Sequence, residues 1–154
     1  MKLSNRGRYG VQAVFDVAFH NEGRPTQIKD IAARQGIPPR FLEQIFQDLK
    51  RAGIVESRRG PRGGYRLARP ASEIRIGDVL RALEGPLWVE EPVGAAVRRG
   101  AGDPASRALL EEVFRGIGER VEACFDAVTI GAMCERAEAA GVRRAGRIRL
   151  AYAI

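Results

Sequence analysis

The stretch from Pro38 to Gly64, PPRFLEQIFQDLKRAGIVESRRGPRGG, constrains the fold more than any other part of this chain. Two prolines precede a segment in which apolar residues recur at the spacing of an α-helix, and Gly53 ends that segment. Two short strand-compatible runs then flank a basic loop that contains three glycines and a proline. This order predicts a helix followed by a β-hairpin with a basic tip, and we expect most of the protein's function to depend on it.

The residues before this stretch predict two further helices. Apolar residues recur at helical spacing over residues 9–20, and a basic arm over residues 1–7 is expected to contact a phosphate backbone or solvent. Thr26 is expected to cap a short helix over residues 28–35, which Gly36 ends. Because that helix and the next are joined through a tight turn, they predict a helix-turn-helix, to which the hairpin adds a wing.

The helix after the turn has an apolar side and a polar side. Its predicted buried stripe consists of Phe41, Leu42, Ile45, Phe46 and Leu49. The second helix of a helix-turn-helix lies in the major groove of DNA, with its N-terminal residues at the base edges. Arg40 can pair with guanine, Glu43 can accept from cytosine and Gln44 can bridge adenine. A solvated helix face would carry similar residue types, so this pattern alone leaves both interpretations open.

The hairpin loop carries the arginines Arg58, Arg59 and Arg62. Arginines on a glycine-rich turn suit phosphate contact or insertion into a narrow minor groove. The positions predicted to contact the DNA backbone or minor groove are Lys2, Arg8, Lys50, Arg58, Arg59, Arg62, Gly63 and Tyr65. A nucleotide-binding loop is a rival use of glycines, but the loop lacks the GxxxxGK(S/T) pattern and no helix follows it.

Charge separates the front of the chain from the back. Residues 1–70 contain 14 Lys and Arg against 6 Asp and Glu, whereas residues 71–154 contain 12 against 13. A basic front half on a neutral back half predicts a polyanion-binding module joined to a module of another kind. A single histidine, His20, and the lack of a catalytic or metal-ligating cluster in the sequence argue against an enzyme and against a metal site.

The back half predicts a helix for dimerisation. A short helix is expected from Ile76 to just before Gly85, followed by a linker over residues 86–102. Asp103 and Pro104 are expected to start a helix of about 20 residues. Its apolar stripe, the predicted dimer interface, consists of Leu109, Leu110, Val113, Phe114, Ile117 and Val121. A helix this long on a small domain favours a two-fold dimer, with packing inside the chain as the alternative.

Beyond this helix the sequence is less informative. Thr129 is expected to cap a last helix that Gly141 closes, and the basic tail over residues 142–154 has no assigned ordered role. Cys124 and Cys134 are too few for a disulfide framework, and the simplest interpretation is that both are buried. Because the sequence contains neither a long apolar run nor a signal peptide, we expect a cytoplasmic protein with no membrane partner.

Three segments resemble the Rrf-two family of bacterial winged helix-turn-helix transcriptional regulators. They are MKLSNRGRYGVQAVFDVA, IAARQGIPPRFLEQIFQDLKRAGIVESRRGPRGGYRLARP and IRIGDVLRALEG. The long helix followed by DAVTIGAM also resembles the family's dimerisation helix and the short helix after it, so the resemblance covers about residues 1–140. It implies a homodimer that binds a roughly palindromic operator in double-stranded DNA. It also places Arg40, Glu43 and Gln44 where the family reads bases, and Arg59 and Arg62 where its wing meets DNA.

One departure from the family pattern concerns a cofactor. Cluster-binding members carry three cysteines in the loop before the dimerisation helix, whereas residues 87–107 here contain no cysteine and no histidine. Thiolates are the ligands that iron–sulfur clusters need. The chain therefore resembles the branch of the family without a cluster, and we expect no cofactor. The controlling signal is left open among a small molecule, a partner protein and cysteine oxidation.

Together these patterns predict a mainly α fold with a small β-hairpin wing. A winged helix-turn-helix domain is expected over residues 1–85, a linker over 86–102, a dimerisation helix with a short following helix over 103–141, and a basic tail over 142–154. The predicted function is sequence-specific DNA binding by a homodimeric transcriptional regulator, a repressor rather than an activator. The alternatives are a module that docks a partner enzyme and a thiol-based redox-sensing regulator.

Overall fold

A computed structural model of the chain describes residues 3–87 and 103–145. The helices are α1 (Asn5–His20), α2 (Ile28–Gln35), α3 (Pro39–Arg51), α4 (Ile76–Glu84), α5 (Pro104–Asp126) and α6 (Ile130–Ala139). Strands β1 (Val55–Arg58) and β2 (Gly64–Leu67) form an antiparallel hairpin, and Ala71–Glu73 form one 3-10 turn. The predicted fold class, mainly helical with a small hairpin wing, is confirmed.

Helices α1 to α4 surround one apolar core. Gly36 ends α2 in the left-handed region at φ 66°, and α3 begins with Pro39, which has no amide hydrogen to leave unpaired. The core side chains that are fully or almost fully buried include Val14, Val17, Ile31, Leu42, Ile45, Phe46, Leu49, Ile74 and Leu80. The helix-turn-helix is therefore packed onto the common core of the domain, and most of the predicted stripe of α3 is buried there.

Helix α1 is longer than the sequence predicted. It begins at Asn5 rather than at position 9, because the Ser4 hydroxyl accepts a hydrogen bond from the Gly7 amide at 3.1 Å and caps its first turn. Glycine inside the helix is a packing feature, since a Cβ at Gly10 would lie 2.0 Å from Leu83 Cδ1 of α4. The expected N-terminal arm is therefore helical from Asn5 onward.

Two side chains lie where the sequence analysis did not place them. Thr26 does not cap α2, because Gln27 occupies that position and Thr26 instead pairs with Tyr65, with both backbone N–H···O distances at 2.8 Å. Phe41 does not belong to the buried stripe of α3. It is 53% exposed and meets the Tyr9 ring edge-on at a centroid distance of 6.3 Å. Both positions are therefore set by contacts with residues distant in sequence, Tyr65 for Thr26 and Tyr9 for Phe41.

Helices α5 and α6 begin as the sequence predicted. The Asp103 carboxylate accepts hydrogen bonds from the amides of Ala105 and Ser106 at 3.2 and 3.1 Å, which starts α5. The Thr129 hydroxyl accepts an amide hydrogen bond at 3.0 Å at the start of α6. Most of the predicted linker, residues 88–102, and the tail residues 146–154 lie outside the described residues.

A joint of backbone and ion-pair contacts connects α4 to the end of α5. Arg75 and Thr129 form an antiparallel backbone bridge just outside the two helices. Arg81 on α4 donates to both Asp126 oxygens, at 2.6 and 3.3 Å, and lies 3.5 Å from Glu122. This α4–α5 joint holds α5 in one orientation relative to the helix-turn-helix.

Candidate DNA-binding surface

Helix α3 presents a polar face at its N-terminal end. Arg40, Glu43 and Gln44 are all exposed, while Leu42 and Ile45 on the other side are buried. Within residues 3–87 and 103–145, none of the three polar side chains has a hydrogen-bond or ion-pair partner. All three are therefore available to a ligand outside the chain, at positions suited to reading base edges.

The tip of the wing is a second exposed polar surface. Arg58, Arg59 and Arg62 are exposed, and in the described part of the chain their side chains have no ion-pair partner. Glycine shapes this tip, since a Cβ at Gly63 would lie 2.2 Å from the Arg58 carbonyl oxygen. The loop can therefore fold back on itself tightly and leave its guanidinium groups in solvent.

The wing is fixed to the helix-turn-helix at three points. The Tyr65 ring stacks on Phe46 of α3, with centroids 4.5 Å apart and the planes inclined by 28°. Thr26 pairs with Tyr65 through the backbone, and Gln27 Nε2 donates to the Pro61 carbonyl at 3.2 Å. These contacts give Tyr65 a structural role in placing the wing. Its direct contact with DNA stays a prediction.

The remaining predicted contact residues fall in several places. Gly63 is buried and its amide donates to the Gly60 carbonyl at 2.9 Å, so it builds the turn. Lys50 donates to the Ser57 hydroxyl at 2.7 Å, which ties the end of α3 to β1. Arg8 is exposed on α1, within the helix rather than before it. Lys2 lies outside the described residues.

A buried ion pair between α1 and α2 was missed in the sequence analysis. Asp16 is fully buried and accepts hydrogen bonds from Arg34 Nη2 at 2.6 Å, Arg34 Nε at 3.0 Å and Gln35 Nε2 at 2.8 Å. The hydrogen bond to Asp16 raises the pKa of Arg34. The sequence signal is an acidic residue between Phe15 and Val17 in an apolar helix. These bonds compensate a charge that would be strongly unfavourable in the core.

The first residues of the predicted tail dock on the end of α1. The buried His20 ring accepts a hydrogen bond at Nδ1 from the Ala145 amide at 3.0 Å. Arg144 donates to the Phe19 carbonyl at 2.9 Å, and its guanidinium carbon lies 4.7 Å from the centre of the Phe19 ring. Burial lowers the pKa of His20, which favours the neutral ring that can accept this bond. Arg144 and Ala145 thus have a structural role.

The predicted dimerisation stripe of α5 is an exposed apolar surface. Leu109, Leu110, Val113, Phe114 and Ile117 are between 43% and 61% exposed, and Val121 is half-buried. Burying apolar area of this kind is favourable at about 25 cal/mol per Å². Exposed apolar side chains grouped in this way often mark an interaction surface, and dimerisation through this stripe stays a prediction.

The helix-turn-helix, the hairpin anchored to it and the two unpaired polar surfaces define a winged helix-turn-helix DNA-binding protein. No helix in the described ranges is both long and apolar enough to span a membrane. A family model of Rrf2, described as an iron-dependent transcriptional regulator, matches residues 3–136. The chain belongs to the Rrf2 family, which is the Rrf-two family of the sequence resemblance.

Curated relatives and solved structures agree with this assignment. The transcriptional regulator IscR of Vibrio atlanticus is 41% identical over 133 residues, which cover 85% of this chain and 73% of the relative. The structure of IscR from T. potens has 36% identity and a TM-score of 0.69, and the match covers 96% of each chain. CymR, the global cysteine regulator of B. subtilis, has 34% identity and a TM-score of 0.67, covering 88% of this chain and 98% of CymR. The chain is thus a helix-turn-helix transcriptional regulator.

The residues of this chain do not fit an iron–sulfur cluster. It has two cysteines and one histidine, whereas such clusters are held by four ligands that are mostly thiolates. Cys124 is exposed on α5, contrary to the expectation that both cysteines are buried, and Cys134 is half-buried on α6. Burial raises the pKa of Cys134, which disfavours its thiolate. Residues 3–87 and 103–145 contain no group of three or more His, Cys, Asp or Glu that could hold a metal ion.

Proposed function

We propose that this protein is a homodimeric repressor that binds a roughly palindromic operator through α3 and the wing. The observation that carries the proposal is the unpaired polar face of Arg40, Glu43 and Gln44, on a helix against which an arginine-bearing wing is packed. In this arrangement α3 reads base edges while the wing contacts the backbone or minor groove. A protein that acts on the chromosome works in the cytoplasm of a bacterium, and the proposed role requires no catalysis.

Dimerisation through α5 supports binding to a two-fold operator. Two copies of the exposed stripe would pack around a two-fold axis, so that each residue of one copy meets its equivalent in an isologous interface. The α4–α5 joint would then carry each helix-turn-helix in a fixed position relative to that axis. Two recognition helices related by a two-fold axis match an operator with two-fold symmetry.

Glu43→Ala is expected to relax base preference. The exposed carboxylate of Glu43 can accept from cytosine N4, and its loss removes about 1–3 kcal/mol of discrimination at that base pair. Selection of bound sequences from a random oligonucleotide pool, by wild type and variant, measures this directly. Glu111→Ala, at an exposed position of α5, is the matched control and should select the wild-type motif. An unchanged motif from Glu43→Ala would mean that α3 does not read bases as placed here.

Arg62→Ala is expected to weaken binding to most DNA sequences alike. A backbone contact releases counterions, so the variant should lower the slope of log affinity against log salt by about 1. Affinity measured across a salt series checks this, with Arg136→Ala on α6 as a control that leaves the slope unchanged. A wild-type affinity that barely responds to salt would favour the alternative in which the domain docks a partner enzyme.

We further propose that regulation occurs without an iron–sulfur cluster. The support is the ligand count, because two cysteines and one histidine cannot supply the thiolates that the cluster-binding relatives use. Protein purified without oxygen is expected to be colourless and to contain no stoichiometric iron or sulfide. Visible absorbance near roughly 400 nm that disappears on exposure to air would contradict this.

A thiol-based version of the same function is the second candidate. One structural relative is the oxidised form of CymR from Staphylococcus aureus, at 32% identity and a TM-score of 0.63. Cys124 is the exposed thiol here and lies on α5, the helix that carries the proposed interface. Operator binding that is lost on oxidation in the wild type and retained in Cys124→Ser would favour this candidate.

A further inference from the structure

A cleft between the wing and the start of α2 is lined by several arginines, two of which are not among the proposed DNA contacts. Its walls include Arg24 in the turn before α2, Arg34 on α2, and Arg58 and Arg62 of the wing. The acidic residues that line it are Glu22 and Asp30, both exposed. Because Asp16 neutralises Arg34, three guanidinium groups without an ion pair in the described part of the chain face two carboxylates. The cleft therefore keeps an excess of positive charge, and a concave site concentrates that field.

Most of this charge has no partner within the chain. Across residues 3–87 and 103–145, the side chains of Arg24, Arg58 and Arg62 have no hydrogen bond or ion pair. Arg34 binds Asp16 through Nε and Nη2, which leaves its Nη1 side outside that ion pair. Guanidinium groups that line one cleft and form no ion pair with its carboxylates are suited to bind oxyanions, because each presents a fork of donors to two oxygens.

The walls of the cleft are held in place before any ligand arrives. Gln27 binds the Pro61 carbonyl of the wing, and Asn21 Nδ2 donates to the Thr26 hydroxyl at 2.6 Å. Ala145, seated on His20, closes one side. The backbone around the cleft is therefore positioned before an anion binds, and only the arginine side chains would have to be ordered by it.

We propose that this cleft binds a small multivalent anion, a metabolite bearing phosphate or carboxylate groups, and that the anion releases DNA. The proposal rests on the proposed function for its second half, because Arg58 and Arg62 belong both to the cleft and to the DNA-contacting wing. An anion that engages these two arginines removes them from the DNA backbone. Binding of the anion in the cleft would then be the regulatory signal, in place of the iron–sulfur cluster that this chain lacks the ligands to hold.

The test uses Arg24, which lines the cleft but is not among the residues proposed to contact DNA. Calorimetric titration of the full chain with pyrophosphate and with citrate, at constant ionic strength, is expected to show saturable binding of at least one of them. Arg24→Gln should weaken that binding about tenfold or more, since a charged hydrogen bond is lost. Arg136→Gln, the same change on α6, should leave it unaltered.

The second measurement is operator affinity with and without the anion that binds. In the wild type the anion should lower operator affinity at least about tenfold, and Arg24→Gln should resist this while matching the wild type when no anion is present. Absence of saturable binding by either probe would overturn the proposal and leave the proposed function intact. Weaker operator binding by Arg24→Gln without any anion would also overturn it, because the cleft would then hold a DNA phosphate. If the wild type selected no DNA, the proposed function would fail. Anion binding that the wild type shows and Arg24→Gln loses would still support the anion site in the cleft.

Discussion

Phe114→Asp is expected to turn a dimer into a monomer and to lower operator affinity by about 100-fold or more. Phe114 lies in the middle of the exposed stripe of α5 and is 47% exposed in the single chain. A carboxylate there would be desolvated in the interface without a partner, at a cost of several kcal/mol. The affinity for DNA falls because a dimer binds both half-sites at once, whereas each monomer binds one alone. Linking two binding modules typically raises the overall affinity 10²–10⁴-fold.

Size-exclusion chromatography with light scattering measures the oligomeric state, and a binding titration measures the operator affinity. Ala108→Asp is the matched control, since it adds the same charge to an exposed position of the same helix outside the stripe. Both variants should keep the wild-type far-ultraviolet circular dichroism, because neither position is buried in the single chain. A Phe114→Asp protein that remained dimeric would place the interface elsewhere.

Asp16→Ala is expected to destabilise the domain by about 3 kcal/mol, which corresponds to a fall in Tm of roughly 10 °C for a chain of this size. The variant removes the partner of Arg34, whose side chain is only 22% exposed, and leaves that charge uncompensated. Because the ion pair joins α1 to α2, the first helix of the helix-turn-helix would lose its fixed position, and operator affinity should fall with stability. Thermal and urea unfolding measure the change in the free energy of unfolding.

Glu111→Ala on α5 is the control for Asp16→Ala. Glu111 is exposed, and its removal should change the free energy of unfolding by no more than about 0.5 kcal/mol. Asp16→Leu combined with Arg34→Met should recover much of the loss, since replacing both members of a buried pair by apolar residues is often neutral. A single Asp16→Ala variant as stable as the wild type would show that the pair contributes little.

The parts of the fold that the sequence predicted well are those specified by local chemistry. Pro39 at the first turn of α3, Gly36 after α2 and Asp103 before α5 each act within a few residues of their own position. The wing was predictable for the same reason, because its glycines and arginines have few other uses in a short loop. The exposure of Arg40, Glu43 and Gln44 follows from the helical period of α3, whereas their reading of bases stays a prediction.

What the sequence did not reveal depends on contacts between distant segments. Threonine is a good helix cap in isolation, but the backbone of Thr26 pairs with Tyr65 of the wing instead. Phe41 was assigned to the core by spacing alone, and the fit of α3 against α1 leaves it at the edge. The Asp16–Arg34 pair and the cleft beside it combine residues from separate elements. The isolated acid in α1 signals a buried charge, but no local pattern signals its partner or the cleft.

The α4–α5 joint also bears on the spacing of the two half-sites that a dimer of this chain would bind. In a two-fold complex, equivalent half-sites lie about one turn of DNA apart, or 10–10.5 base pairs. The distance and twist between two recognition helices would be set by the angle at which Arg75, Thr129, Arg81 and Asp126 hold each domain on its α5. Substitutions at these four positions would therefore alter the preferred number of base pairs between half-sites while leaving the half-site sequence unchanged. The preferred spacer length would be set by the α4–α5 joint and the preferred bases by α3, so that one could change without the other.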